Sequence, residues 1–184
     1  MASRIFTVPN QLTFLRLFFI PFFIMAIHYE RYNWALLILI VAGLSDALDG
    51  LLARGLNQKT PLGAYLDPFA DKLMLSSSYL VLALHGRVAW WLAILVLGRD
   101  ILLLAASAVI IITVGYISLP PSIYGKATTF FEILMIFLVL VLAIWDNHAL
   151  WRLKEVCGYC VAVFVCVSAA NYSIVVSRRL HAGG

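Results

Sequence analysis

The sequence predicts an all-α, polytopic membrane protein with six transmembrane helices in one domain, residues 1–184. Three observations require that class. First, 64% of the 184 residues are hydrophobic and 12% are charged, with a mean hydropathy of +0.99. A soluble domain averages roughly 45–50% apolar and about 25% charged residues, and a water-soluble fold of this length could not hide so much apolar surface. Second, apolar stretches close to the ~20 residues that cross a bilayer recur six times. Third, the 13 Lys and Arg against 9 Asp and Glu give a net charge of +4, yet the basic residues are dispersed. No run is long enough for a nucleic-acid footprint, so the expected anionic partners are lipid head groups and a phosphorylated substrate, not nucleic acid.

The first apolar stretch runs from about Leu12 to Ile27, interrupted only by Arg16 and Pro21, and Glu30-Arg31 marks its turn. It lacks a small-residue cleavage site and reads as a retained span. The second runs from Trp34 to about Ala53. A polar stretch, Gly55 to Leu62, precedes the third, Gly63 to Leu84, which ends at His85-Gly86-Arg87. The fourth covers Val88 to Tyr116. Pro120, Pro121 and Gly125 break the chain before the fifth, Lys126 to Trp145. Asp146-Asn147-His148 forms a polar turn, and Val156 to Val176 is the sixth.

An even number of spans puts both termini on one side. That side carries Arg4, Arg54, Lys59, Lys126, Arg178 and Arg179, against Arg31, Arg87, Arg152 and Lys154 on the other. The bias favours cytosolic termini. Trp90, Trp91, Trp145 and Trp151 are expected at membrane interfaces. Cys157, Cys160 and Cys166 have no second pair or histidine cluster nearby, so they read as small hydrophobes rather than as a metal or redox site.

The acidic residues are more informative. Five of the nine (Asp46, Asp49, Asp67, Asp71 and Asp100) lie within or at the ends of apolar stretches. Asp46, Asp49, Gly50 and Ala53 share one face of the second helix by their 0, +3, +4, +7 spacing. Gly63, Asp67 and Asp71 share a face of the third. A short loop joins the two helices, so an antiparallel hairpin is expected, with all four carboxylates at similar depth near the cytosolic surface. Four close carboxylates cannot all stay ionised in a low dielectric without compensation. Oxygen-only ligands select hard divalent ions such as Mg²⁺, Mn²⁺ or Ca²⁺ over zinc, and two ions would clamp a diphosphate. The small residues leave that face bare, so a flat ligand could approach the backbone.

The pattern Asp46-x2-Asp49-Gly50-x2-Ala53-Arg54-x8-Gly63-x3-Asp67-x3-Asp71 resembles the complete signature of the CDP-alcohol phosphatidyltransferases. The resemblance extends from Pro9-Asn10-x2-Thr13-x2-Arg16 through Arg99-Asp100 to Gly125-Lys126. It implies a six-helix homodimer, each protomer holding its own active site. It implies further that Asp46, Asp49 and Asp67 bind two metal ions, Mg²⁺ or Mn²⁺, and that Asp71 is both a ligand and the general base. Gly50, Ala53 and Gly63 would then lie against the cytidine of CDP-diacylglycerol, with Arg54 nearby.

The resemblance implies a glycerol-type alcohol as acceptor, ahead of inositol, serine and others, and Arg99 and Lys126 are its candidate cations, because a cation within or beside an apolar span is costly unless it works. Ion pairing, Arg99 near Asp100 and Lys126 with Glu132, is the structural alternative. The Arg99-Asp-Ile-Leu-Leu-Leu-Ala-Ala run is similar to CMP-forming cardiolipin synthases, whose acceptor is phosphatidylglycerol. Ser107 stands where phosphatidylglycerophosphate synthases, which use glycerol 3-phosphate, resemble one another in carrying a second arginine. A divalent-cation transporter would also need intramembrane carboxylates, but not the Gly-Ala-Arg-Gly face.

Overall fold

The computed structural model describes residues 8–56, 61–114 and 123–182, and within them the side chains of 15, 17–44, 70, 72–105 and 123–173. The described chain is all helix: α1 (Val8–His28), α2 (Tyr32–Leu56), α3 (Pro61–Leu84), α4 (Trp90–Val114), α5 (Ile123–Ile144) and α6 (His148–Ala182). The helices alternate in direction. One end of the bundle therefore gathers the turns α1–α2, α3–α4 and α5–α6, and the other gathers the ends facing residues 57–60 and 115–122.

Backbone caps fix the turns. Glu30 takes φ 56°, its N–H donating to the Ile27 carbonyl at 3.0 Å while Arg31 N–H donates to Ala26 at 2.8 Å. Gly86 repeats the pattern after α3 with φ 66°, its N–H on Ala83 at 3.0 Å and that of Arg87 on Leu82 at 2.9 Å. These paired bonds satisfy carbonyls that the last helical turn leaves open. Glycine adopts this backbone at no steric cost, and a glutamate does not.

Five helices, α1, α2, α3, α5 and α6, start earlier than expected, α6 by the most. α6 begins at His148 because Asn147 caps it, its Oδ1 accepting the Ala149 N–H at 2.8 Å; this adds a full turn and more before Val156. α5 begins at Ile123, so Gly125 lies inside its first turn rather than before the helix. The Thr129 hydroxyl donates to the Gly125 carbonyl at 3.1 Å.

The core runs through all six helices, with Phe23 and Ile27 of α1, Tyr79 and Leu82 of α3, and Val161 and Val165 of α6 among its buried members. Their spacing of three or four is the helical period. α1 packs on both α2 and α3, α5 packs on α2, α3 and α6, and α4 packs on α3 and α6. Among the described residues no packing of α2 on α3 is seen, and the side chains at the expected hairpin end, 45–69, lie outside them.

The outer surface is as apolar as the core. Ile94, Ile101, Phe130 and Val163 are each at least 60% exposed, more apolar surface than a soluble monomer presents. All five tryptophans, Trp34, Trp90, Trp91, Trp145 and Trp151, are exposed at the end with the α1–α2, α3–α4 and α5–α6 turns, the arrangement of an interfacial aromatic belt. Among the described residues two helices are long and apolar enough to cross a bilayer: Ile123–Ile144, with hydropathy 2.6, and His148–Ser173, with 1.7. The apolar stretches Leu17–His28, Tyr32–Leu44 and Lys72–Leu84 are shorter. The all-helical, membrane-associated class thus stands, and two of the six expected spans meet the length and hydropathy requirement outright.

Candidate active site

The helical backbone is continuous through both halves of the aspartate pattern. Asp46, Asp49, Gly50, Ala53 and Arg54 fall on α2 and Gly63, Asp67 and Asp71 on α3; their side chains lie outside the described residues. At 1.5 Å per residue, Asp46 is about 15 Å and Asp49 about 10 Å from the end of α2. Asp67 is about 9 Å and Asp71 about 15 Å from the start of α3. The two helices thus carry their aspartates at paired depths on either side of residues 57–60. All four donors are carboxylates, with no thiol or imidazole among them, and this donor chemistry fits a hard divalent ion. Among the described side chains no group of three or more His, Cys, Asp or Glu could hold a metal.

Just beyond Asp71 the described residues form a buried polar cluster. Asp100 of α4 is 3% exposed. It accepts hydrogen bonds from Lys72 Nζ, from Ser76 Oγ at 2.9 Å and from Arg99 Nη1 at 2.8 Å. Arg99 Nη2 reaches Ser168 Oγ of α6 at 3.3 Å. This one carboxylate ties α3 to α4, and Arg99 extends the tie to α6. A buried anion is tolerated when its lone pairs are filled and its charge is matched, and both conditions hold here.

Glu132 of α5 differs. It is 1% exposed, and neither carboxyl oxygen has a hydrogen-bond partner. It lies within electrostatic reach of Asp100, Arg99 and Lys72. Its backbone carbonyl accepts the Tyr79 hydroxyl at 3.3 Å. Arg99 Nε is also without a partner.

The two expected acceptor cations are therefore placed differently. Arg99 is buried in the Asp100 cluster, the ion pair that the sequence raised as an alternative. Lys126 is exposed on α5 and makes no ion pair with Glu132. Six residues along a helix turn two side chains about 240° apart, which explains the missing pair. Lys72, Ser76 and Ser168 escaped the sequence reading, and Glu132 entered it only as a partner for Lys126. The available signal for Lys72 and Ser76 was a lysine and a serine four apart in an apolar helix, directly after Asp71. The cysteines behave as small hydrophobes: all three are free, and the buried Cys157 thiol rests 3.7 Å from the Phe131 carbonyl.

A sequence profile of the CDP-alcohol phosphatidyltransferases matches residues 6–174. The chain belongs to that family. Among curated CDP-alcohol phosphatidyltransferases and their relatives, a provisionally named cardiolipin synthase of Mycobacterium bovis is 41% identical over 129 residues, 70% of this chain and 61% of its own. The CDP-diacylglycerol–glycerol-3-phosphate 3-phosphatidyltransferase of Aquifex aeolicus is 34% identical over 169 residues, 91% of this chain and 94% of its own. The cardiolipin synthase (CMP-forming) of Streptomyces coelicolor is 37% identical over 135 residues, covering 70% and 62%. The chain thus spans only about three fifths of the mycobacterial and Streptomyces relatives it matches. Its match to the family profile covers the aspartate pattern, the Asp100 cluster and Glu132 alike.

Proposed function

We propose that this chain is a divalent-metal-dependent phosphatidyltransferase that moves the phosphatidyl group of CDP-diacylglycerol to an alcohol and releases CMP. The observation that carries the reading is the eight-position pattern from Asp46 to Asp71 on two successive helices, with its aspartates at paired depths. Asp46, Asp49, Asp67 and Asp71 would hold two Mg²⁺ or Mn²⁺ ions, which neutralise the diphosphate and the departing CMP. Gly50, Ala53 and Gly63 leave room for the cytidine beside the backbone, and Arg54 adds a cation there.

An alcohol is a poor nucleophile near neutral pH, so a positioned base is needed. The acceptor hydroxyl oxygen attacks the phosphorus that carries the lipid, the phosphoanhydride bond to CMP breaks, and the hydroxyl proton passes to the Asp71 carboxylate. The acyl chains stay in the bilayer throughout. That requirement favours a multi-pass chain with six spans, its site near the cytosolic face, and a homodimer in which each protomer works alone.

Phosphatidylglycerol is the proposed acceptor, giving cardiolipin. Its phosphodiester carries one negative charge, which Arg99 and the exposed ammonium of Lys126 can balance without an arginine at Ser107. The second reading, phosphatidylglycerophosphate synthesis from glycerol 3-phosphate, is favoured by the near full-length match to the Aquifex protein. Purified protein given CDP-diacylglycerol and both acceptors in equal amounts tests the choice by CMP release and lipid product. Cardiolipin should predominate. Predominant phosphatidylglycerophosphate overturns the acceptor and leaves the chemistry standing; no CMP release with either acceptor overturns the transferase reading.

A further inference from the structure

Glu132 has no role in the chemistry proposed above, yet its burial is costly. A carboxyl group taken out of water without hydrogen bonds is destabilising in either protonation state, and more so when charged. Both its oxygens are unpartnered, although Arg99 and Lys72 are within electrostatic reach. In the same cluster Arg99 Nε is an unpartnered donor. The other polar atoms of the cluster each have a partner: Asp100 accepts from three donors, and Ser168 accepts from Arg99 Nη2. The atoms left with no partner are the Nε of a guanidinium and the oxygens of a carboxyl. The group that suits both is amphiprotic, accepting from Arg99 and donating to Glu132, and an alcohol hydroxyl does this.

We propose that Glu132, with the open Nε of Arg99, receives a hydroxyl of the polyol acceptor other than the one that attacks phosphorus. This deepens the reading under Proposed function and rests on it. The location is suitable: Lys72, which follows Asp71 in α3, is in the same cluster. Both glycerol-type acceptors keep a secondary hydroxyl beside the attacking one, so the site selects glycerol over simple alcohols whichever acceptor is used. Arg99 and Glu132 are closed off here, at 5% and 1% exposure. Neighbouring side chains must therefore move to admit the head group.

The test compares each acceptor with the same molecule lacking its secondary hydroxyl: phosphatidylglycerol with phosphatidyl-1,3-propanediol, and glycerol 3-phosphate with 3-hydroxypropyl phosphate. A hydroxyl paired with a buried polar site is discriminated from its absence by about 10- to 100-fold in kcat/KM. The unmodified protein should show that ratio. Glu132→Leu should reduce it to near one. Glu132→Gln, which keeps one acceptor oxygen and should fold where the leucine variant fails, should lower it at least threefold. The ratio is read on two acceptors with the same protein sample, so any loss of folded protein cancels. A ratio near one in the unmodified protein, or a ratio that Glu132→Gln leaves unchanged, overturns the proposal; a structural water bound at Glu132 would give the second result. Absence of CMP release with every acceptor overturns the transferase reading as well, whereas release without discrimination overturns this inference alone.

Discussion

Replacing Asp100 by asparagine removes the only carboxylate that binds Lys72 and Arg99 in the described polar cluster. The Lys72 side chain is 24% exposed and can turn partly toward polar surroundings, but that of Arg99 is 4% exposed and cannot. Breaking a buried pair by deleting one partner costs about 3–5 kcal/mol, because the surviving charge stays desolvated. Asparagine keeps one carbonyl oxygen, so a single donor, such as Ser76, retains its bond, and the lower end of the range applies. About 3 kcal/mol corresponds to a fall of roughly 6–12 °C in the thermal midpoint for a chain of this size. A thermal scan of the purified protein in detergent measures it. Lys72→Met in the Asp100→Asn background should recover part of the loss by removing one of the two stranded cations. Asp146→Asn is the control: Asp146 is exposed and accepts from Trp151 Nε1 at 2.7 Å, and such surface contacts are worth up to about 1 kcal/mol. An Asp100→Asn variant within about 0.5 kcal/mol of the unmodified protein would refute the account of the cluster.

Asp67→Asn should lower turnover by more than about 100-fold, since one metal ligand and its charge are lost from the site; CMP release within tenfold of the unmodified enzyme would reject that ligand set. Asp71→Asn should keep affinity for CDP-lipid while losing about 10²–10⁴-fold in kcat, the usual effect of removing a general base. Lost donor binding with little further loss in kcat would instead make Asp71 mainly a ligand. Glu30→Gly should stabilise the fold by about 0.5–1 kcal/mol, because the residue sits at φ 56°, where a side chain is strained. The long His85–Glu30 contact, 3.9 Å to an exposed carboxylate, returns little when it is lost. Chemical or thermal unfolding checks the sign.

The sequence by itself determined the class of fold and the chemistry of the aspartates. Apolar runs of bilayer length can only be helices in a membrane, because every backbone N–H and C=O must be paired within the segment. Asp46 to Asp71 was legible because helical periodicity is local: spacings of three and four specify a face before any packing is known. Gly86 announced the end of α3 for the same reason. Turn chemistry without glycine was less visible, as was the Asn147 cap that lengthens α6, since each depends on a hydrogen bond made only once the chain has turned. Only the tertiary structure decided which helices touch. Bilayer lipid is as apolar as the helix faces, so hydrophobicity does not select partners, and packing and polar contacts do. That is why α1 lies against both α2 and α3, why Asp100 gathers Lys72 and Ser76 from 24 or more residues away, and why Arg99 is drawn to Ser168 while Lys126 is left at the surface. Glu132 looked like a counter-ion for Lys126 in one dimension. In three it is a buried carboxyl with both oxygens unpartnered, because its direction from the helix axis and the helices around it are set by the bundle and not by its neighbours in sequence.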